Sequence, residues 1–262
     1  MEKILIVLEG ERTEADFFYH ILPKFDIDAE LCVVGTNLYT LYHKCKNYNF
    51  EADIRDVLKE IIKDTEIKKL MDQKFTYTYL VFDADLQHKA PEKRGEEVSI
   101  NELITENLPK LIEMAEYFTD ETDPSIGRLY INYPMMESFR YCNKFDDEQH
   151  ISAKISIDDM KNFKQLASKM KLAGIPIGKY ERTDFENLMR MNVKRLIFVV
   201  NGKFDVFPDY NAYQNISEAQ NIALKQHEMA TSVQELYVLN TSILIILDYY
   251  GNRDNFYYNI CC

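Results

Sequence analysis

Apolar residues arrive in short bursts near the start of the chain. Residues 4–8 (Ile-Leu-Ile-Val-Leu) form an unbroken run rich in β-formers, the pattern of a strand buried on both faces. Residues 13–22 change period: Phe17, Phe18, Ile21 and Leu22 share one helical face. Thr13 followed by Asp16 predicts an N-cap with a capping box. Residues 31–34 (Leu-Cys-Val-Val) predict a second strand, stopped by Gly35. Residues 51–71 predict one long amphipathic helix with Ile54, Val57, Leu58, Ile61 and Ile62 inside. A third strand is predicted at 77–82, then a charged loop at 87–97. A helix over 101–118 follows, entered from Ser99 or Asn101 and perturbed at Pro109, and then a fourth strand at 128–133.

Strand and helix thus alternate four strands deep. That order predicts an α/β fold with right-handed crossovers and a mostly parallel four-stranded sheet flanked by helices. After about residue 140 the pattern turns mainly helical. The helical segments are 156–172, 182–195, 215–230 and 233–250, with one candidate strand at 196–200 (Leu-Ile-Phe-Val-Val). From Gly251 the chain reads as a tail that Tyr257 and Tyr258 can dock. The predicted division is a core over 1–140 and a mainly helical region over 141–262.

Composition narrows the class. The chain has 262 residues, 46% hydrophobic and 28% charged, with 18 Tyr, 15 Phe and no Trp. That balance suits a soluble globular core, and 8 Gly with 7 Pro argue against long flexible linkers. The net charge of −12 counts against a protein that coats nucleic acid, because such affinity comes from neutralising phosphates. It counts less against a nuclease, since an acidic site that recruits divalent cations gains positive charge from them. No apolar run approaches the roughly 20 residues needed to cross a bilayer, and Met1-Glu2-Lys3 leads straight into the first strand. The five cysteines, Cys32, Cys45, Cys142, Cys261 and Cys262, show no zinc-ligand spacing and read as core fillers or tail residues. A reduced, cytoplasmic protein is expected.

The placement of acids carries the functional reading. Glu9 follows the first strand directly, and Asp83 and Asp85 follow the third. Open α/β sheets bind ligands outside the carboxyl ends of their strands, and in one common strand order the first and third strands are neighbours. If 83–85 stays extended, Asp83 and Asp85 point to one side, with the small Ala84 leaving the approach open. Clustered carboxylates repel one another in a low-dielectric cleft unless one takes up a proton or a cation sits among them. All-oxygen ligands select Mg²⁺ or Mn²⁺ over zinc.

These residues resemble a known family. Leu8-Glu9-Gly10-Glu11-Arg12-Thr13-Glu14, followed by Phe82-Asp83-Ala84-Asp85, is similar to the signature of Toprim domains. More narrowly it resembles the Toprim nucleases of bacterial phage-defence systems, the RloB-like, OLD-like and PARIS-effector-like proteins. Asn132-Tyr133-Pro134-Met135-Met136-Glu137-Ser138-Phe139 is similar to an N-P-x-F-E segment of the RloB-like group, with Tyr133 inserted and Met136 where an aromatic is usual. The likeness spans roughly residues 3–140. It implies a Toprim-like (Rossmannoid) core and an Mg²⁺-dependent endonuclease acting on tRNA or DNA, as the toxic effector of an antiviral, abortive-infection system. In that reading Asp83 and Asp85 hold the metal. Glu9 is a further ligand or the general acid/base, and Glu137 is an additional carboxylate of the site. Substrate contacts would come from Arg12, Lys89 and Arg140, with Lys93, Arg94 and Lys144 nearby. Partners implied are the nucleic acid and an ATPase that senses infection; a homo-oligomer is compatible with either.

Plainer readings stand beside these. Asp-x-Asp after a strand is usually a solvated turn, and an acid at Glu137 in the first turn of a helix begun by Pro134 suits the helix dipole. Glu11 and Glu14 read as a solvated first turn, and the basic loop residues and His88 as solvent-exposed. Met189 and Met191 read as core. Val81-Phe82-Asp83-Ala84-Asp85 also resembles the nucleophile strand of haloacid-dehalogenase-like phosphatases. There, however, the motif normally lies on the first strand, and Gln87 stands where Thr or Val is usual. A non-catalytic subunit that binds a partner ATPase is the remaining alternative.

Overall fold

A computed structural model describes residues 2–10, 12–93 and 95–261, with the backbone only at Glu92. Its centre is β1 (Ile4–Leu8), every residue of which is buried. β1 pairs in parallel with β2 (Ala29–Val33) on one side and with β3 (Tyr77–Asp83) on the other. β3 pairs in parallel with β5 (Gly127–Asn132), and the two-residue β4 (Thr119–Asp120) runs antiparallel at the edge. The order is β2-β1-β3-β5-β4. The α/β class, the mostly parallel sheet and the adjacency of the first and third strands agree with expectation. The sheet has five strands rather than four, because β4 is too short to leave a periodic signal.

Helices flank the sheet: α1 (Thr13–Ile21), α2 (Leu38–Asn47), α3 (Ile54–Ile61), α4 (Thr65–Leu70) and α5 (Ile100–Tyr117). Ser99 caps α5 through the Glu102 amide, and Glu102 returns the bond to the Ser99 N–H. This helix runs through Pro109. The single helix expected over 51–71 is two. Ile62 leaves helical geometry at ψ 130, and the Asp64 carboxylate caps a fresh start by accepting from the amides of Glu66 and Ile67. Thr13 does not cap α1. Arg12 holds the cap position without a side-chain bond, and the Thr13 hydroxyl donates instead to Glu137 Oε1 at 3.3 Å.

Beyond residue 140 the chain is helical in part. Its elements are β6 (Lys154–Ser156), α6 (Phe163–Ser168), α7 (Arg182–Asn201), α8 (Tyr210–Ile216), α9 (Ala219–Ser232), β7 (Glu235–Tyr237), α10 (Ile245–Tyr250) and α11 (Phe256–Cys261), with short 3-10 turns between them. Two expectations fail here. Residues 196–200 are the end of α7 and not a strand. That helix is buried nearly all round, so its apolar run reflects a central position in the core, and Gly202 at φ +77 terminates it. The segment 233–250 is not one helix, since it opens with β7, which forms a two-stranded antiparallel sheet with β6. Met189 and Met191 are fully buried, and the tail docks through buried Tyr257.

The two halves interlock. Tyr133 and Leu239 form an antiparallel bridge, with amide-to-carbonyl distances of 2.8 and 3.0 Å. Arg195 on α7 is fully buried and donates to the carbonyls of Ser138, Tyr141 and His150 at 3.1, 2.7 and 3.1 Å. Cys32, Cys45 and Cys142 are free and buried, and Cys261 is buried. Burial pushes the thiols of Cys32 and Cys45 up to about 12 and that of Cys142 to about 11. Among the described residues no helix is long and apolar enough to cross a membrane. Glu11, Arg94 and Cys262 lie outside the described residues, so the readings placed on them have no structural counterpart.

Candidate carboxylate site

The carboxyl ends of β1, β3 and β5 lie side by side, and each delivers polar groups to one place. Glu9 leaves the end of β1, Asp83 is the last residue of β3, Asn132 is the last of β5, and Glu137 follows in the 3-10 turn Met136–Arg140. The Asp83 amide donates to Glu9 Oε2 at 3.0 Å, and Asn132 Nδ2 lies 3.5 Å from Asp83 Oδ1. Glu9 and Asp83 are thus brought together as expected.

Asp85 is near but arrives differently. β3 stops at Asp83, and Asp85 has φ +30, a backbone that L residues seldom adopt. The extended geometry expected through 83–85 therefore does not hold. The Ala84 amide donates to Asn132 O at 2.9 Å and the Asp85 amide to Pro134 O at 3.3 Å, which ties this turn to the end of β5. Ala84 is fully buried and its carbonyl accepts from the Tyr39 hydroxyl, so its methyl packs in the core and does not border the approach. Asn107 holds the following residues by donating to the carbonyls of Leu86 and His88. His88 is half-buried and not solvent-exposed: its ring stacks on Tyr39 with centroids 5.2 Å apart, and its Nδ1 lies 3.1 Å from Asn37 Nδ2.

Glu14 belongs to the site although its sequence position suggested a solvated turn. It is 8% exposed. A Cβ on Gly10 would come within 2.8 Å of its Oε2, so the missing side chain at Gly10 is what lets the Glu14 carboxylate fold back over the end of β1. Glu137 is 4% exposed. Its Oε1 accepts from Thr13 and lies 3.4 Å from Lys164 Nζ, while its Oε2 is buried with no hydrogen-bond partner.

Five acids, Glu9, Glu14, Asp83, Asp85 and Glu137, therefore act on one another with one lysine set against them. Burial pushes the Glu9 carboxyl up to about 8, and the Glu14 and Asp85 charges push the same way; the Asp83 amide and Lys164 pull it down. Burial, then Glu9, Glu14 and Glu137, hold Asp83 well above the usual carboxylate range. Glu14 is raised by burial and by Glu137. Like charges out of water cannot all ionise, so the cluster retains protons unless a cation enters.

The donor set is entirely carboxylate and amide oxygen, which matches Mg²⁺ or Mn²⁺ and not zinc. Among the described residues no three His, Cys, Asp or Glu side chains form a ready metal cage. Glu9 Oε2 faces the Asp83 amide, and Glu137 Oε1 is engaged by Thr13 and Lys164. The chemistry of the residues fits a hard divalent ion, with the orphaned Glu137 Oε2 as the oxygen most in need of one.

The basic residues divide. Arg12 and Arg140 line one cavity with Thr13. Lys89 is not brought there: its ammonium donates to the Glu96 carbonyl inside its own loop. Lys93 is tied to Glu106 at 2.5 Å, and Lys144 is exposed.

Several participants were invisible in the sequence. Lys164 comes from α6, and its approach to the site is a matter of tertiary packing. Asn132 Oδ1 accepts from the Ser242 hydroxyl and amide at 2.8 and 3.3 Å, and Asn240 Nδ2 donates to the Met136 carbonyl at 3.1 Å. Only Gly10 gave a local signal for Glu14, through its place one turn ahead of it. Comparison with protein-family models, with curated proteins and with solved structures finds no match.

Proposed function

We propose that the protein is a divalent-cation-dependent nuclease whose centre is the carboxylate cluster of Glu9, Asp83 and Asp85, completed by Glu137 and Glu14. The observation that carries this reading is the gathering of five acids at the ends of three adjacent strands, with Glu9 pushed to about 8 and Glu137 Oε2 unpartnered. Folding places these charges together at a cost, and a cation-binding role explains why the chain tolerates it.

Asp83, Asp85 and Glu9 would hold Mg²⁺ or Mn²⁺, with Glu137 beside them. The bound ion would neutralise charge on phosphate oxygens and acidify a coordinated water. Glu9, with its raised proton affinity, is suited to hold or return a proton near neutral pH. Asn132 orients Asp83, and Lys164 supplies a cation at the edge of the cluster. The Toprim likeness, the tRNA or DNA substrate, the role as effector of antiviral defence and the partner ATPase rest on the sequence resemblance. The adjacency of β1 and β3, which sets Glu9 beside Asp83, supports that reading.

The test incubates purified protein with Mg²⁺ or Mn²⁺ and plasmid DNA, single-stranded DNA or total tRNA. Cleavage of at least one substrate is expected, falling at least about a hundredfold in Glu9→Gln and Asp83→Asn. Mn²⁺ should raise the melting temperature of the wild type and not of Asp83→Asn. Cleavage that survives both substitutions would remove the cluster from the chemistry. Absence of cleavage with and without the ATPase, on every substrate, would favour a binding subunit.

A further inference from the structure

A cavity of about 610 Å³ opens beside the carboxylate cluster, lined by Arg12, Thr13, Ala15, Asp16, Tyr19, Leu31 and Arg140. Thr13 joins the two places, since it lines the cavity and bonds Glu137. Arginine usage singles this cavity out. Arg55, Arg128, Arg182 and Arg253 pair with carboxylates, and Arg190 and Arg195 donate to backbone carbonyls. Among the described arginines, Arg12 and Arg140 alone have neither ion pair nor hydrogen bond for their guanidinium groups. The Arg140 Nε is buried without a partner, and its guanidinium lies 5.6 Å from the Phe139 ring centroid.

In a chain of net charge −12, two uncommitted guanidinium groups facing one concavity mark a place for an external anion. Planar guanidinium groups match phosphate oxygens bidentately. α1 begins at the same wall, with Thr13, Ala15 and Asp16 of its first turn lining the space. Tyr19 stands at the cavity 71% exposed, T-shaped against His20 with centroids 5.3 Å apart and with ring surface left open to a stacked base. Asp16 opposes anions, but His20 Nε2 lies 3.4 Å from it. The space is broad and open to solvent; an exposed ring that can stack suits the splayed base of a single strand better than a duplex, whose bases are already stacked on one another.

We propose that this cavity seats an unpaired nucleotide of a single-stranded segment next to the scissile bond. Arg12 and Arg140 grip its phosphate and Tyr19 stacks its base. This rests on the nuclease reading for its biological sense but is tested apart from it. Fluorescein-labelled DNA and RNA 12-mers, single-stranded and as duplexes of the same sequence, are titrated with the full chain by anisotropy. Ca²⁺ replaces Mg²⁺, so that binding is read without turnover. Single strands should bind about tenfold tighter than duplexes. Tyr19→Ala should lose about tenfold and Tyr19→Phe should not. Arg12→Gln and Arg140→Gln should each lose about tenfold and flatten the dependence on salt. Melting temperatures, taken alongside, confirm that these variants fold. Equal affinity for duplex and single strand, or folded variants that bind like wild type, overturns the proposal. If those variants also keep wild-type KM in cleavage, the nuclease reading survives without the cavity. If binding behaves as expected and the wild type never cleaves, the cavity stands and the nuclease reading falls.

Discussion

Glu9 shows at the scale of one residue what the site costs the fold. Its carboxyl stands at about 8 in the native protein against an ordinary 4.5. Between these values the native state holds a proton that the unfolded chain has released. Through Glu9 stability must therefore fall as pH rises through that window, by up to about 1.4 kcal/mol per pH unit. Urea unfolding in the presence of a chelator, from pH 5 to 8, should show this decline, and Glu9→Gln should flatten it. A wild type that grows more stable over the same range would contradict the burial assigned to this carboxyl. Asp83 shifts in the same direction, so some slope should survive in the variant.

Elements decide how firmly these acids are held, and the signals they leave in the sequence are uneven. Glu9 and Asp83 stand out because apolar runs end where strands end, and a strand end is a local signal, whereas Glu137 comes from the family resemblance alone. Asp85 was placed in the right neighbourhood by the wrong geometry, because nothing local announces a left-handed residue in an aspartate. Glu14 was missed because its burial depends on a close approach over Gly10. The 196–200 run was misread because a fully buried helix loses the polar stripe that separates helix from strand. Arg195 is the main support that pattern could not reveal. Two of its three bonds hold Ser138, inside the Met136–Arg140 turn that carries Glu137, and Tyr141 directly after that turn. Arg195→Met should cost about 3 kcal/mol, because three buried carbonyls lose their donors at once. Arg195→Lys should recover only part of it, since one ammonium cannot span the same fork. Chemical denaturation measures both, and a loss below about 1 kcal/mol would show that the turn stands unaided.

The whole molecule is less divisible than its change of pattern near residue 140 suggests. Asn132 is oriented by Ser242, the Met136 carbonyl by Asn240, and Tyr133 bridges to Leu239. The core over 1–140 therefore borrows its site geometry from the last third of the chain. Expressed alone, residues 1–140 should unfold without a cooperative transition in circular dichroism and be cut readily by proteases. A sharp transition for that fragment would establish an independent domain.

The four interior thiols give the protein a clock of its own. Shielded from solvent, Cys32, Cys45, Cys142 and Cys261 cannot meet a maleimide while the chain is closed, and burial holds the first three protonated. With Cys262 replaced by serine, each alkylation recorded by mass spectrometry would count an opening event. Cys32, on β2, should be the last of the sheet to react and Cys261, in the final helix, the first. The order of modification would then chart which parts of the molecule breathe, each buried cysteine reporting on its own neighbourhood.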